Sequence, residues 1–93
     1  MEELEVKHDK KIKRFYIDIE GDNIHLDYNL TDDKIDLYHT YTPPHLRGRG
    51  LAGKVVEFAF NYAKENNLKV IPSCPFIPYF LEKNPQYNEL VAD

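Results

Sequence analysis

Only one of the 93 residues is a cysteine, Cys74, so no disulfide can form within the chain. A lone thiol favours a reducing setting, and no apolar run at the N-terminus resembles a secretory leader, so the expected compartment is the cytoplasm. No stretch approaches the roughly 20 apolar residues that a membrane span needs. Positive charge is not in excess either: 12 Lys and Arg stand against 16 Asp and Glu, a net charge of −4. Nucleic acids and membrane surfaces are held by surplus Lys and Arg, so neither is an expected partner. His8, His25 and His45 are scattered, and with one cysteine they make no ligand spacing, so no metal is expected. The Gly-x-Ser-x-Gly of serine hydrolases is missing as well. Glycine itself is scarce, and three of the four glycines, Gly48, Gly50 and Gly53, fall close together.

What is present suits a folded chain. A composition 42% hydrophobic and 30% charged supports one core, and residues 1–93 are expected to form a single domain. Leu4 and Val6 alternate with charged residues as a short strand, closed by a turn at Asp9-Lys10-Lys11. A second strand begins at Ile12 and alternates through Phe15, Ile17 and Ile19. After the turn at Glu20-Gly21-Asp22-Asn23, Ile24, Leu26 and Tyr28 share one face of a third strand. Ile35, Leu37 and, by the same alternation, His39 share a face of a fourth, which runs to Tyr41. Short turns between consecutive strands imply an antiparallel meander. Beyond Pro43-Pro44 the period lengthens. Leu51, Val55, Phe58 and Tyr62, beside Ala52, Val56, Ala59 and Ala63, mark a helix from Leu51 to Glu65. A fifth strand, Leu68 to Ile71, is expected parallel to the fourth, because the helix provides the crossover. A short helix follows from Phe76 to Lys83. Tyr87, Leu90 and Val91 are expected to dock from the tail.

The stretch Pro43 to Lys54 joins the two halves. It sets glycines and two arginines around a helix start, where free N–H groups and the helix dipole favour an anion, above all phosphate. Gly48-x-x-x-x-Gly53-Lys54 approaches the P-loop, but Val55 stands where Ser or Thr must bind magnesium. Gly48-x-Gly50-x-x-Gly53 approaches the dinucleotide fingerprint. The double proline separates it from any strand, and the next apolar run ends in Pro72-Ser73 without the required carboxylate. Arg47-x-x-Gly50-x-Ala52 fits the Arg/Gln-x-x-Gly-x-Gly/Ala pyrophosphate loop of the GCN5-related N-acetyltransferases (GNATs), which this chain resembles.

The resemblance is to the small, single-domain NATD1-like branch of that superfamily. It is carried by His39-Thr40, Pro43, Leu46 to Ala52, Pro72-x-Cys74, Tyr79 and Asn84-Pro85-x-Tyr87. It implies an α+β fold of the minimal acyl-CoA N-acyltransferase kind: the four-strand meander, a pyrophosphate loop, a helix, the parallel fifth strand and a short C-terminal helix. It implies an N-acetyltransferase that uses acetyl-CoA (coenzyme A) and an amine acceptor on a small molecule or protein, acting as a monomer or weak homodimer. Arg47, Gly48, Arg49, Gly50, Leu51 and Ala52 would cradle the coenzyme pyrophosphate. Three residues are catalytic candidates. Cys74, at a strand end before a helix start, is either a nucleophile or a small buried hydrophobe. His39 is either a general base or a core histidine. Tyr79 is either an acid toward the leaving thiolate or surface packing. Two positions depart from the family's His-Thr-Glu-Val-Pro: Tyr41 replaces the acid and Thr42 the valine. The chain lacks the flanking helices and strands that shape acceptor sites in larger relatives. The alternative expectation is therefore a coenzyme A-binding module with little or no transferase activity.

Overall fold

The computed structural model describes residues 5–92, so Leu4 lies outside the described residues. Five strands form one sheet in the order β1 (Lys7–Asp9), β2 (Arg14–Ile19), β3 (Asp22–Thr31), β4 (Lys34–Tyr41) and β5 (Lys69–Ile71). The first four are antiparallel neighbours, and β5 runs parallel to β4. The β2–β3 connection is a two-residue turn in which Glu20 (φ 53°) and Gly21 (φ 76°) both take positive φ. That conformation matches the right-handed twist of the flanking strands. Asp22 and Asn23, expected in the turn, therefore begin β3. Ile12, expected to open β2, instead sits 58% exposed in the preceding turn.

Alternation puts Phe15, Ile17, Ile24, Leu26, Tyr28, Ile35 and Leu37 on one face, all fully buried. Helix α1 (Leu51–Glu65) covers that face, and α2 (Phe76–Lys83) and a 3₁₀ helix (Pro85–Leu90) pack against α1 in turn. Phe60 is the joint between these layers. Its ring stacks on Phe80 at 5.6 Å and meets Tyr87 at 5.3 Å. The expected apolar stripe omitted Phe60 and included Phe58, yet Phe60 is fully buried and Phe58 is 38% exposed. The second layer explains it: α1 buries a face toward α2 as well as one toward the sheet. Tyr87, Leu90 and Val91 dock on the core as expected. Val91 bridges in parallel to Val70, and the Ala92 amide donates to the Val70 carbonyl at 2.8 Å.

One irregularity governs β4. Asp27 pairs with His39 but Tyr28 pairs with Leu37, so Tyr38 is an extra residue without a partner. Such a bulge reverses the inside–outside assignment beyond it. Leu37 points into the core, while His39 is exposed on the outer face rather than beside Ile35 and Leu37. Thr40 turns inward instead. It shares a face with its partner Leu26 and contacts the Cys74 thiol, Oγ1 to Sγ 3.3 Å.

Strand β1 is anchored by His8. Its ring packs 4.3 Å from Phe15 and 4.8 Å from Tyr62, and its Nε2 shares a 2.5 Å hydrogen bond with the Tyr28 hydroxyl. Burial, then the charge of Lys10, hold its pKa below the ordinary 6.5, with Asp9 opposing. The folded chain thus resists a proton that the unfolded chain accepts. The stability so gained is full above pH 6.5 and is lost as pH falls from there toward the folded value. Thermal midpoints should therefore drop from about pH 7.5 to about pH 5.5. In His8→Gln the midpoint should be lower throughout but the pH slope shallower. An unchanged slope would remove His8 from the effect.

Candidate active site

The helix start predicted at Leu51 is where α1 begins. Gly50 is its N-cap in the left-handed region (φ 73°), and Gly48 shares that conformation (φ 81°). A glycine cap has no side chain to offer, and no side-chain hydrogen bond caps the helix. The Lys54 amide makes the first intrahelical bond, to the Gly50 carbonyl at 3.4 Å. The amides of Leu51, Ala52 and Gly53 come before it and have no acceptor within the helix. A 15-residue helix concentrates about half a positive charge at this end.

These amides border a cleft of about 740 Å³. The cleft runs between the end of β4, the Arg47–Gly53 stretch and α2. Thr40, Tyr41 and Thr42 supply one wall, while Phe76, Tyr79, Phe80 and Lys83 supply another. It opens because β4 and β5 separate. Their parallel ladder joins Lys34–Asp36 to Lys69–Ile71, the Cys74 amide then takes the Leu37 carbonyl at 2.9 Å, and the strands part beyond the bulge. Leu46, Leu51, Phe76 and Phe80 make part of the lining apolar, and Lys54 and Lys83 bring cationic groups to it.

The loop arginines are braced from behind. Arg47 Nε donates to the Thr42 carbonyl at 3.0 Å, and Arg49 Nη1 donates to Glu20 Oε2 at 2.8 Å. Glu20 belongs to the β2–β3 turn, so this exposed pair ties the loop to the sheet. Arg47, Gly48, Gly50, Leu51 and Ala52 all line the cleft, whereas Arg49 does not.

The three catalytic candidates do not converge. Tyr79 lines the cleft and is 54% exposed, with the Lys83 ammonium 5.2 Å from its ring centroid. Cys74 is buried behind Thr40, which lines the cleft while the thiol does not. His39 stands on the outer face of the sheet, beside His25 and Asp27 (ring centroids 5.8 Å apart for the two histidines). There Arg14 holds Asp27 through Nε–Oδ1 at 2.7 Å and Nη2–Oδ2 at 3.3 Å. Burial and the Arg14 charge push the His25 pKa down, against the pull of Asp27. The Thr40–Cys74 contact and the Arg14–Asp27–His25 group escaped sequence reasoning. Contacts between distant segments alone bring their members together.

The model of the GCN5-related N-acetyl-transferase family matches residues 14–90. The chain belongs to that family. Protein NATD1 of Danio rerio is 37% identical over 95% of this chain and 84% of its own length. Protein NATD1 of Homo sapiens is 33% identical over 92% and 80%. Among solved structures, the NMR solution structure of a GCN5-like protein of Staphylococcus aureus, a proposed N-acetyltransferase, superposes with a TM-score of 0.76. It is 34% identical, with 99% of this chain and 91% of that one covered. The GNAT fold is thus present in minimal α+β form, with β4 and β5 parallel and parting at the cleft. Among the described residues no helix is long and apolar enough to cross a membrane.

The GNAT loop separates two roles for glycine. Gly50 needs its positive φ, so Gly50→Ala should lose about 1–2 kcal/mol. Gly53 lies inside the helix with no atom within 4 Å of an added Cβ, so Gly53→Ala should gain about 0.5–1 kcal/mol. Urea midpoints of the two variants should move in opposite directions. A shared direction would refute this division.

Proposed function

We propose that residues 1–93 form one minimal GNAT domain that transfers an acetyl group from acetyl-CoA to an amine of a small molecule or a protein, in the cytoplasm. The observation that carries the proposal is the uncapped start of α1, whose free amides open onto the cleft where β4 and β5 part. The donor set fits an anionic, partly apolar ligand. The amides of Leu51, Ala52 and Gly53 are without helical acceptors, Lys54 and Lys83 are cationic, and Phe76 and Phe80 are apolar. Acetyl-CoA supplies the acetyl group as an activated thioester.

The chain's own residues then divide the work. Gly48 to Ala52 hold the pyrophosphate through backbone N–H groups, and Gly48 and Gly50 permit the close approach. Arg47 and Arg49 keep the loop in shape through Thr42 and Glu20 and add their charge to it. Leu46, Leu51, Phe76 and Phe80 exclude water from the apolar part of the ligand. Tyr79 would give its hydroxyl proton to the sulfur as the C–S bond breaks and the C–N bond forms, and its phenolate would then take back, through water, the proton that the attacking amine loses. Cys74 supports Thr40 from behind, so transfer goes directly to the amine and not through the thiol. His39, on the far face, takes no step.

A second reading is favoured by the same geometry, because Tyr79 is the one catalytic candidate in the cleft. In that reading the domain binds coenzyme A and transfers slowly or not at all.

Calorimetric titration separates these readings from no function at the loop. Wild type should bind coenzyme A and acetyl-CoA, and Gly50→Glu, checked for folding by circular dichroism, should bind at least roughly tenfold more weakly. Failure of wild type to bind either compound would end both readings. Thiol release on a panel of amines then tests transfer. Tyr79→Phe should cut kcat by roughly a hundredfold, while Cys74→Ala should stay within about threefold of wild type. A dead Cys74→Ala variant that still binds coenzyme A would replace direct transfer with a route through the thiol.

A further inference from the structure

The outer face of the sheet carries a cluster that the cleft does not use. His25 and Asp27 stand two residues apart on β3 and so point the same way. His39 is the register partner of Asp27 on β4, and only the extra residue Tyr38 turns it toward them. One ligand atom from each of the three lies within 4.8 Å of the other two. The pair His25 Nε2 and Asp27 Oδ2 is already at 3.9 Å.

The neighbours prepare these atoms. His25 Nδ1 is 2.8 Å from Asn23 Oδ1, which must accept its proton, so the lone pair is left on Nε2, facing Asp27. Arg14 Nε takes Asp27 Oδ1 at 2.7 Å and fixes the carboxylate plane, while the longer 3.3 Å contact leaves Oδ2 the freer oxygen. A ligand imidazole whose other nitrogen is hydrogen-bonded, and a ligand carboxylate held from behind, are the usual outer shell of a metal centre. Asp27 and His25 are partly buried by their neighbours, with side chains 13% and 15% exposed. His39 is exposed and can turn.

We propose that His25, Asp27 and His39 form a zinc site on the outer face of the sheet, with the fourth coordination position open to water. Two imidazoles and one carboxylate suit zinc in tetrahedral geometry. Zinc–ligand bonds of about 2.1 Å place ligand atoms about 3.4 Å apart, so the two β3 ligands move little and the His39 ring swings inward to close the site. Asp27 lies between the ion and Arg14 and offsets part of their combined charge. Bound there, it clamps β3 to β4 at the bulge, one residue before Thr40, which lines the cleft on the other side, while the Tyr41 ring stays on the outer face against His25, centroids 5.6 Å apart.

Calorimetric titration of the metal-free full chain with zinc chloride, paired with thermal melting, tests the site. Wild type should bind one equivalent and melt at a higher temperature with zinc than without. His39→Ala, a change at an exposed position, should bind at least roughly tenfold more weakly and lose the thermal shift. His45→Ala, which alters an exposed histidine outside the cluster, should behave as wild type. Nickel chloride added to isotope-labelled wild type gives a second readout, because the His25 and His39 ring signals should broaden together. No zinc binding by wild type, wild-type binding by His39→Ala, or broadening confined to His8 or His45 would each overturn the proposal.

Discussion

In an antiparallel ladder the side chains alternate between faces, and an inserted residue reverses the assignment of every position after it. Tyr38 is such an insertion, and much of this protein's chemistry follows from it. Without it, Thr40 would face outward and His39 would be pressed into the apolar layer next to Leu37. With it, the Thr40 hydroxyl reaches the Cys74 thiol, and His39 joins the polar cluster of β3. A bulge also bends its strand. Here the bend falls where β4 leaves β5, since the ladder ends at Asp36 and the Leu37 carbonyl is taken by an amide from beyond β5. The same residue thus sets the contents of both faces and marks where the cleft begins.

The cleft's other requirement is a helix end left without a cap. Ser, Thr, Asp or Asn at position 50 would satisfy one of the orphan amides with its own side chain. Glycine leaves them for a ligand and tolerates the positive φ that aims the loop. Pro43 and Leu46 are buried beneath the approach to this loop. The Arg49–Glu20 pair ties it to the turn of the neighbouring β2–β3 hairpin. Exposed as it is, that pair adds little stability, so its value lies in position.

Where local pattern decided structure, the sequence was a reliable guide. Phe15 and Ile17, then Ile24, Leu26 and Tyr28, alternate without interruption. Helix α1 has glycine before it and Asn66-Asn67 after it, and both helices begin and end where their residues indicate. The unreadable features all depend on contacts between distant segments. Nothing in Tyr38-His39-Thr40 marks a bulge, because β-branched and aromatic residues suit either phase of a strand. Phe60 became core because α2 and Tyr87 arrive on that side of α1, which the α1 pattern alone does not reveal. His25, Asp27 and His39 form a group that the chain's order hides, because the spacing that unites them runs across strands rather than along the chain. The glycine loop that starts α1 was legible for the opposite reason: its glycines and arginines lie close together along the chain.

The sheet's last strand has a further implication. Strand β5 offers three residues at the border of the sheet, and Val91 and Ala92 already occupy part of that border by pairing with Val70. An open strand edge is a template for another chain, and short or covered edges are how natural sheets avoid stacking into fibres. Here Val91 and Ala92 act as the cover. Any foreign strand seeking this side of the sheet would first have to peel that segment away. Val91 and Ala92, which do not line the cleft, thereby help keep one copy of the protein from recruiting the next.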